Sequence, residues 1–157
     1  LGKGTTPREQ WPGHRAHEQR SVALVQGLCQ RLGVPNRYRD LAAHVALYHP
    51  LCHRALELRP TTVLRILEHI DAFRRPNRCE NFLLACKADA CGRTGRETAP
   101  YPQAGFIRQA REAAAEVGSK SFRNQGLTGK ALGTAIQKKR VEAITQVKAE
   151  FQAANQL

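Results

Sequence analysis

The sequence predicts an all-α fold, on three observations. Apolar residues recur at three- and four-residue steps along almost the whole chain, no stretch alternates polar and apolar residues long enough for a half-buried strand, and Gly or Pro punctuates the runs at helix-length intervals. The 157 residues suffice for one domain with a real core, or one domain plus a helical extension. Neither a disulfide nor a metal is needed merely to fold a chain of that size.

The first helix is expected from about His17 to Leu32, with Val22, Leu24, Val25, Leu28 and Leu32 on its buried side and Gly33 as a left-handed stop. Pro35 and Asn36 start a second helix, roughly Arg37 to Tyr48, carrying Leu41, Ala42, Val45 and Leu47. Pro50 disfavours helical geometry in the residue before it, so this helix is predicted to end near His49. An irregular segment from Leu51 to Leu58 leads to a third helix, capped by Thr61 or Thr62, with Val63, Leu64, Ile66, Leu67 and Ile70 as its core face.

The basic turn Arg74-Arg75-Pro76-Asn77-Arg78 closes that helix, and a fourth follows from about Arg78 to Cys91 with Phe82, Leu83, Ala85 and Cys86 inward. Asp89 falls in its last turns, where a carboxylate opposes the macrodipole and calls for a compensating cation, a metal or solvent. The Gly-, Arg-, Thr- and Pro-rich loop from Gly92 to Pro102 is the best internal boundary. Beyond it a fifth helix runs from about Pro102 to Val117, a linker continues through Gly129, and a long last helix spans about Lys130 to Gln152. That helix keeps an apolar stripe of Ile136, Val141, Ile144 and Val147 beside the basic block Lys138, Lys139 and Arg140.

Lys and Arg total 25 against 13 Asp and Glu, a net charge of +12. An excess of this size predicts a polyanionic partner, because each cation that neutralises a phosphate releases a condensed counterion. A membrane partner is not expected, since no apolar run approaches the ~18 to 20 residues of a spanning helix and no signal-peptide pattern is present. The five cysteines are odd in number and contain no Cys-x-x-Cys pair. They predict reduced, mostly buried thiols in a cytoplasmic protein rather than a zinc site.

Histidines stand at positions 14, 17, 44, 49, 53 and 69, four of them among polar or proline neighbours. A helical metal site needs neutral imidazoles and carboxylates projected from several helices into one cleft, and His17, His49, His53 and Asp89 are candidates for it. The plainer alternative, a surface or boundary histidine, suits His44 and His69 within their amphipathic helices. For His14, His17, His49 and His53 composition leaves both readings open.

Several blocks in order carry a family resemblance over nearly the whole chain: Leu1-Gly-Lys-Gly-Thr-Thr-Pro7, Gly13-His14-Arg-Ala-His17-Glu18-Gln-Arg20-Ser21, Val34-Pro35-Asn36-Arg-Tyr-Arg-Asp40-Leu41-Ala42, Ile70-Asp71-Ala72-Phe73-Arg74-Arg75-Pro76, Lys87-Ala88-Asp89-Ala90-Cys-Gly92-Arg93-Thr94-Gly95 and Tyr101-Pro102-Gln103, with fainter traces at Gly126-Leu-Thr-Gly129 and Arg140. The chain resembles the C-terminal part of bacterial CCA-adding tRNA nucleotidyltransferases, the proteobacterial kind that carries an HD phosphohydrolase domain. Cys91, where the family often has arginine, and Arg96, where an apolar or aromatic residue is usual, depart from the pattern without touching the candidate ligands.

The resemblance implies a helical HD-type region over residues 1–92, truncated at its start, followed by a helical tail over 93–157 that contacts tRNA. It implies a parent that adds or repairs the tRNA 3′-CCA end from CTP and ATP with Mg2+, plus an HD site using Mg2+ or a transition metal on small phosphoesters, including 2′,3′-cyclic phosphates. The polymerase head lies upstream in that family, and the HD doublet immediately precedes Leu-Gly-Lys, so the chain is expected to start just after it. His17, His49 and Asp89 are then the expected metal ligands, with His14, His53 and Asp71 as rivals. Arg74, Arg75, Arg78, Lys130, Lys138, Lys139 and Arg140 are the expected RNA contacts. The isolated chain is expected to be inactive, holding metal or RNA weakly. The competing readings are a tRNA-binding helical module without chemistry and a general HD-type phosphohydrolase.

Overall fold

The computed structural model describes residues 1–155, and among these there is no strand. The helices are α1 His17–Arg31, α2 Asn36–His53, α3 Pro60–His69, α4 Pro76–Cys91, α5 Pro102–Ala115, the short α6 Lys120–Asn124 and α7 Gly129–Asn155. Single 3-10 turns at Gly2–Thr5, Arg8–Gln10 and Ala55–Glu57 fill the connections. The all-α expectation therefore holds, and Gly33 ends α1 with φ +62 in the left-handed region.

α1 packs on α2 and α2 on α4, while α5 and α7 pair closely and α3 lies against both. One apolar core runs through these elements. Val63, Leu64, Ile66 and Leu67 of α3, Phe82, Leu83 and Cys86 of α4, Phe106 and Ile107 of α5, and Ile144 and Phe151 of α7 belong to the same buried cluster. The core is thus continuous across the Gly92–Pro100 loop, because α5 and α7 bring large side chains back against α3 and α4.

Four local expectations are corrected. α2 does not stop near His49 but continues through Pro50 to His53. The proline removes one ladder donor, at a typical interior cost of about 3 kcal/mol, yet the turn beyond it is anchored by fully buried Cys52 and by the side-chain bonds of His53. α3 begins at Pro60 with Arg59 as its N-cap and no side-chain cap, so neither Thr61 nor Thr62 performs that task. The linker before α7 holds the single-turn helix α6. On α1, Leu24 and Leu32 are exposed rather than inward, and Ser21 and Cys29 are the buried positions.

All five cysteines are free, four of them buried. Burial pushes the Cys79 thiol up to about 12, and the hydrogen bond with Cys52 together with burial raises Cys86 as well. Both are held as packing groups rather than thiolates.

Candidate functional site

A cavity of about 520 Å³ opens between α1, α2 and α4, and it gathers His17, His49 and Asp89 with Lys3 from the N-terminal turn. Each arrives for a local reason. The Gly2–Thr5 turn lies directly on α1, where the Gly2 amide donates to the Ser21 hydroxyl at 2.9 Å, and a Cβ at residue 2 would collide with that hydroxyl and with the His17 carbonyl. His17 follows Ala16, whose φ of +54 and ψ of +25 place it in the left-handed region. For a residue with a side chain that conformation costs roughly 1–2 kcal/mol, and such strain concentrates at functional sites.

The two histidines carry the same internal bond. His17 Nδ1 lies 2.7 Å from the His14 carbonyl and His49 Nδ1 lies 2.8 Å from the Val45 carbonyl. A carbonyl only accepts, so each Nδ1 carries the proton, and in the neutral rings each Nε2 is a bare acceptor. His69 makes the same bond to the Arg65 carbonyl on an exposed face, so the bond alone identifies nothing. What separates His17 and His49 is that both line the cavity, with ring centroids 5.9 Å apart, and that His17 Nε2 is buried without a hydrogen-bond partner. Metal-ligating histidines commonly present this combination of an anchored Nδ1–H and a free Nε2.

Asp89, the expected anomaly at the end of α4, finds its compensating group in His53, whose Nε2 stands 2.9 Å from Oδ2. Partial burial works to raise the Asp89 carboxyl, but the His53 hydrogen bond and the nearby His49 outweigh it and hold it below the usual carboxylate range. On its other side His53 Nδ1 meets the Tyr101 hydroxyl at 2.9 Å. With a neutral ring and Nε2–H donating to Asp89, Nδ1 accepts from the Tyr101 hydroxyl, whose single proton is then shared with Cys52 Sγ at 3.4 Å. Four rings run in file, His49 standing 5.7 Å from His53 and His53 5.8 Å from Tyr101.

Among the described residues no three His, Cys, Asp or Glu side chains already stand together closely enough to hold a metal ion. The two bare Nε2 acceptors and the ionised Asp89 nevertheless suit a divalent cation chemically. The rivals lie elsewhere. His14 bonds the Thr6 hydroxyl at 3.0 Å, and Asp71, at φ +57 beyond α3, faces Arg74 and Arg75. His53 supports Asp89 from beside the cavity rather than lining it.

Sequence reasoning missed the role of Tyr101. The signal was the spacing of His49 and His53: four residues apart on one helix, they share a face. Ending α2 at His49 erased that spacing.

The chain is 58% identical over 151 residues to a multifunctional CCA protein of Thioalkalivibrio sulfidiphilus, an alignment spanning 96% of this chain and 37% of that protein. Proteins of the same description from Nitrosococcus oceani and Alkalilimnicola ehrlichii are 54% and 48% identical, over 93% and 96% of this chain and 36% and 37% of their own lengths. This chain belongs to the multifunctional CCA protein family. It spans little more than a third of the length of these curated relatives. No family model matches the chain, and no solved structure does.

In this CCA-family chain the seven basic residues singled out by sequence divide by their engagement. Lys130 and Lys138 are exposed, Arg74 and Arg75 are exposed beside Asp71, and Lys139 reaches Glu142 at 3.0 Å. Arg78 is committed to Asp40 at 3.3 Å, and Arg140 lies over the Phe73 ring at 4.2 Å. The last two brace the fold as well as carrying charge.

Proposed function

We propose that this chain supplies the second half of an HD-type phosphohydrolase site and part of the tRNA-binding body of a CCA-adding tRNA nucleotidyltransferase. That enzyme would build or repair the tRNA 3′-CCA end from CTP and ATP in the cytoplasm. The observation that carries the hydrolase reading is the pair of anchored histidines, His17 and His49, sharing one cavity with an ionised Asp89.

His17 and His49 through Nε2, with Asp89, would hold a divalent cation, Mg2+ or a transition metal, and such an ion lowers the pKa of bound water and neutralises phosphate oxygens. The chain's own groups do the positioning. The His14 and Val45 carbonyls fix which nitrogen of each ring faces outward, and His53 fixes the Asp89 carboxylate. Lys3, on the cavity wall, supplies a point charge for a phosphate oxygen of a small phosphoester or a cyclic phosphate end. Titration calorimetry with Mn2+ tests the reading. One binding event, lost in His49→Ala, is expected, and no heat in the unaltered chain overturns it.

A second reading, a tRNA-binding body that performs no chemistry, is favoured by the +12 charge and the exposed cations near α3 and along α7. Recognition there would be of backbone shape, since A-form major grooves are closed to side chains. tRNA affinity should then fall steeply and log-linearly with salt, and a flat response removes this reading.

A further inference from the structure

A second cavity, of about 220 Å³, adjoins His53 and shares no lining residue with the first. His53 at the end of α2, Cys91 at the end of α4, and Tyr101 and Gln103 at the start of α5 form its walls, and Arg93 and Arg96 close it from the connecting loop. The loop turns back on itself between and after the two arginines. Arg96 N bonds Arg93 O at 2.9 Å, Ala99 N bonds Arg96 O at 3.0 Å, and Gly95 takes φ +81, a conformation open to glycine. Glu97, the loop's acid, turns its carboxylate onto the Gly95 amide at 3.1 Å and does not line the cavity.

No carboxylate lines this cavity, and among the described residues neither Arg93 nor Arg96 stands in an ion pair. Arg93 lies within electrostatic reach of Asp89, which does not line the cavity, and together with Arg96 it still offers two guanidiniums to a phosphate. A second demand comes from Gln103. Its Nε2 donates to the His53 carbonyl at 3.1 Å, which fixes the amide's orientation, and its Oε1 is then buried without a hydrogen-bond partner. That acceptor calls for a donor, which the oxygens of a fully ionised phosphomonoester lack and a sugar hydroxyl provides.

We infer that this pocket binds a phosphate ester of a hydroxyl-bearing sugar, with Arg93 and Arg96 on the phosphate and Gln103 Oε1 accepting from the hydroxyl. The volume falls below the roughly 300–1,000 Å³ of sites for drug-sized ligands, so it takes one sugar phosphate unit with any base outside. That unit is equally the end of an RNA chain or a free small phosphoester. The inference does not rest on metal binding at His17 and His49.

The test is an NMR titration of the full chain without divalent metal, following the arginine side-chain NH and Gln103 amide signals. The probes are methyl phosphate, ribose 5-phosphate, and a short RNA ending in 3′-phosphate or 3′-hydroxyl. Ribose 5-phosphate should shift the Arg93, Arg96 and Gln103 signals. Arg93→Gln or Arg96→Gln, both at exposed positions, should weaken it roughly tenfold, while Lys138→Gln should not. Gln103→Met should erase the preference for ribose 5-phosphate over methyl phosphate dianion, which has no hydroxyl to donate. Shifts with the 3′-phosphorylated RNA but not its 3′-hydroxyl form assign the RNA end as ligand, and shifts with ribose 5-phosphate alone assign a small phosphoester. Shifts confined to α7, or binding unchanged in both arginine variants, overturn the inference. Because metal is absent throughout, that failure is separate from a failure of the calorimetry on His49.

Discussion

The α1–α2 hairpin and the α3–α5–α7 cluster are built from comparable apolar sequence but use it differently. α3 buries Val63, Leu64, Ile66 and Leu67, and α5 buries Phe106, Ile107, Ala110 and Ala114, whereas α1 buries only Ser21 and Cys29 and α2 only Cys52. Leu24, Leu32 and Tyr38 on the hairpin, and Leu84 on the outer face of α4, are exposed. Stability is therefore concentrated in one half, and the chemistry-bearing histidines sit mainly on the other. Regions with few buried contacts open at lower free energy, so the candidate site occupies the softer part of the molecule.

The sharpest way to break that contrast is a pair of truncations. Phe106→Ala should cost about 3–5 kcal/mol in urea denaturation, as a fully buried phenylalanine does. Leu41→Ala, on the half-buried cavity wall, should cost less than half of that. Equal losses would show that the hairpin is as tightly packed as the cluster.

Next in size is Gly2→Ala. The added methyl has no room against the His17 carbonyl and the Ser21 hydroxyl, so the Gly2–Thr5 turn should lift off α1 and lose the Gly2–Ser21 bond, at a cost of about 1 kcal/mol. Gly4→Ala, with open space around it, is the control and should change little. The His17 ring resonances should move in the first variant alone. If both variants behave alike, the turn does not help hold His17.

The tight half offers a pH test. Arg108 holds both Glu80 oxygens, with Nη2 to Oε2 at 2.7 Å, and this bond outweighs partial burial in lowering the Glu80 carboxyl below its usual range. A carboxyl depressed in the folded state adds stability that is fully present above its unfolded value, near 4.5, and lost as pH falls through the folded value. The pair is nearly half exposed, so screening limits it to about 1 kcal/mol or less. Glu80→Gln should lower the thermal midpoint at pH 7, and the gap should close on acidification through the lowered Glu80 value. A gap independent of pH would assign the effect to packing.

Much of this was legible in the residues, and the failures have a common cause. Periodicity located every long helix, and glycine or proline marked most ends, because those signals are local. The extension of α2 through Pro50 was not local: it depends on Cys52 entering a core built from α3, α4 and α5, and on His53 meeting Asp89 and Tyr101, 36 and 48 residues away. The same long-range pairing hid Tyr101 and Gln103 as site residues. On α1 the apolar spacing did not identify the inward side, since Leu24 and Leu32 share the helix with Cys29 yet remain open.

The smallest expected effect compares one strained residue from each half, Ala16 before α1 and Asp71 after α3. Ala16 and Asp71 are the described non-glycine residues at positive φ, 54 and 57. At Ala16 no side-chain bond compensates the strain, so Ala16→Gly relieves roughly 1–2 kcal/mol and gives back about 0.4–1 through the freer unfolded chain. The net should be a stabilisation on the order of 0.5 kcal/mol. At Asp71 the carboxylate meets Arg75 at 3.3 Å and Arg74 at 3.8 Å, so Asp71→Gly removes those contacts along with the strain and should not stabilise. Denaturation midpoints of the two variants decide it. A stabilised Asp71→Gly with an unchanged Ala16→Gly would locate the strain in the tight half and leave His17 held without it.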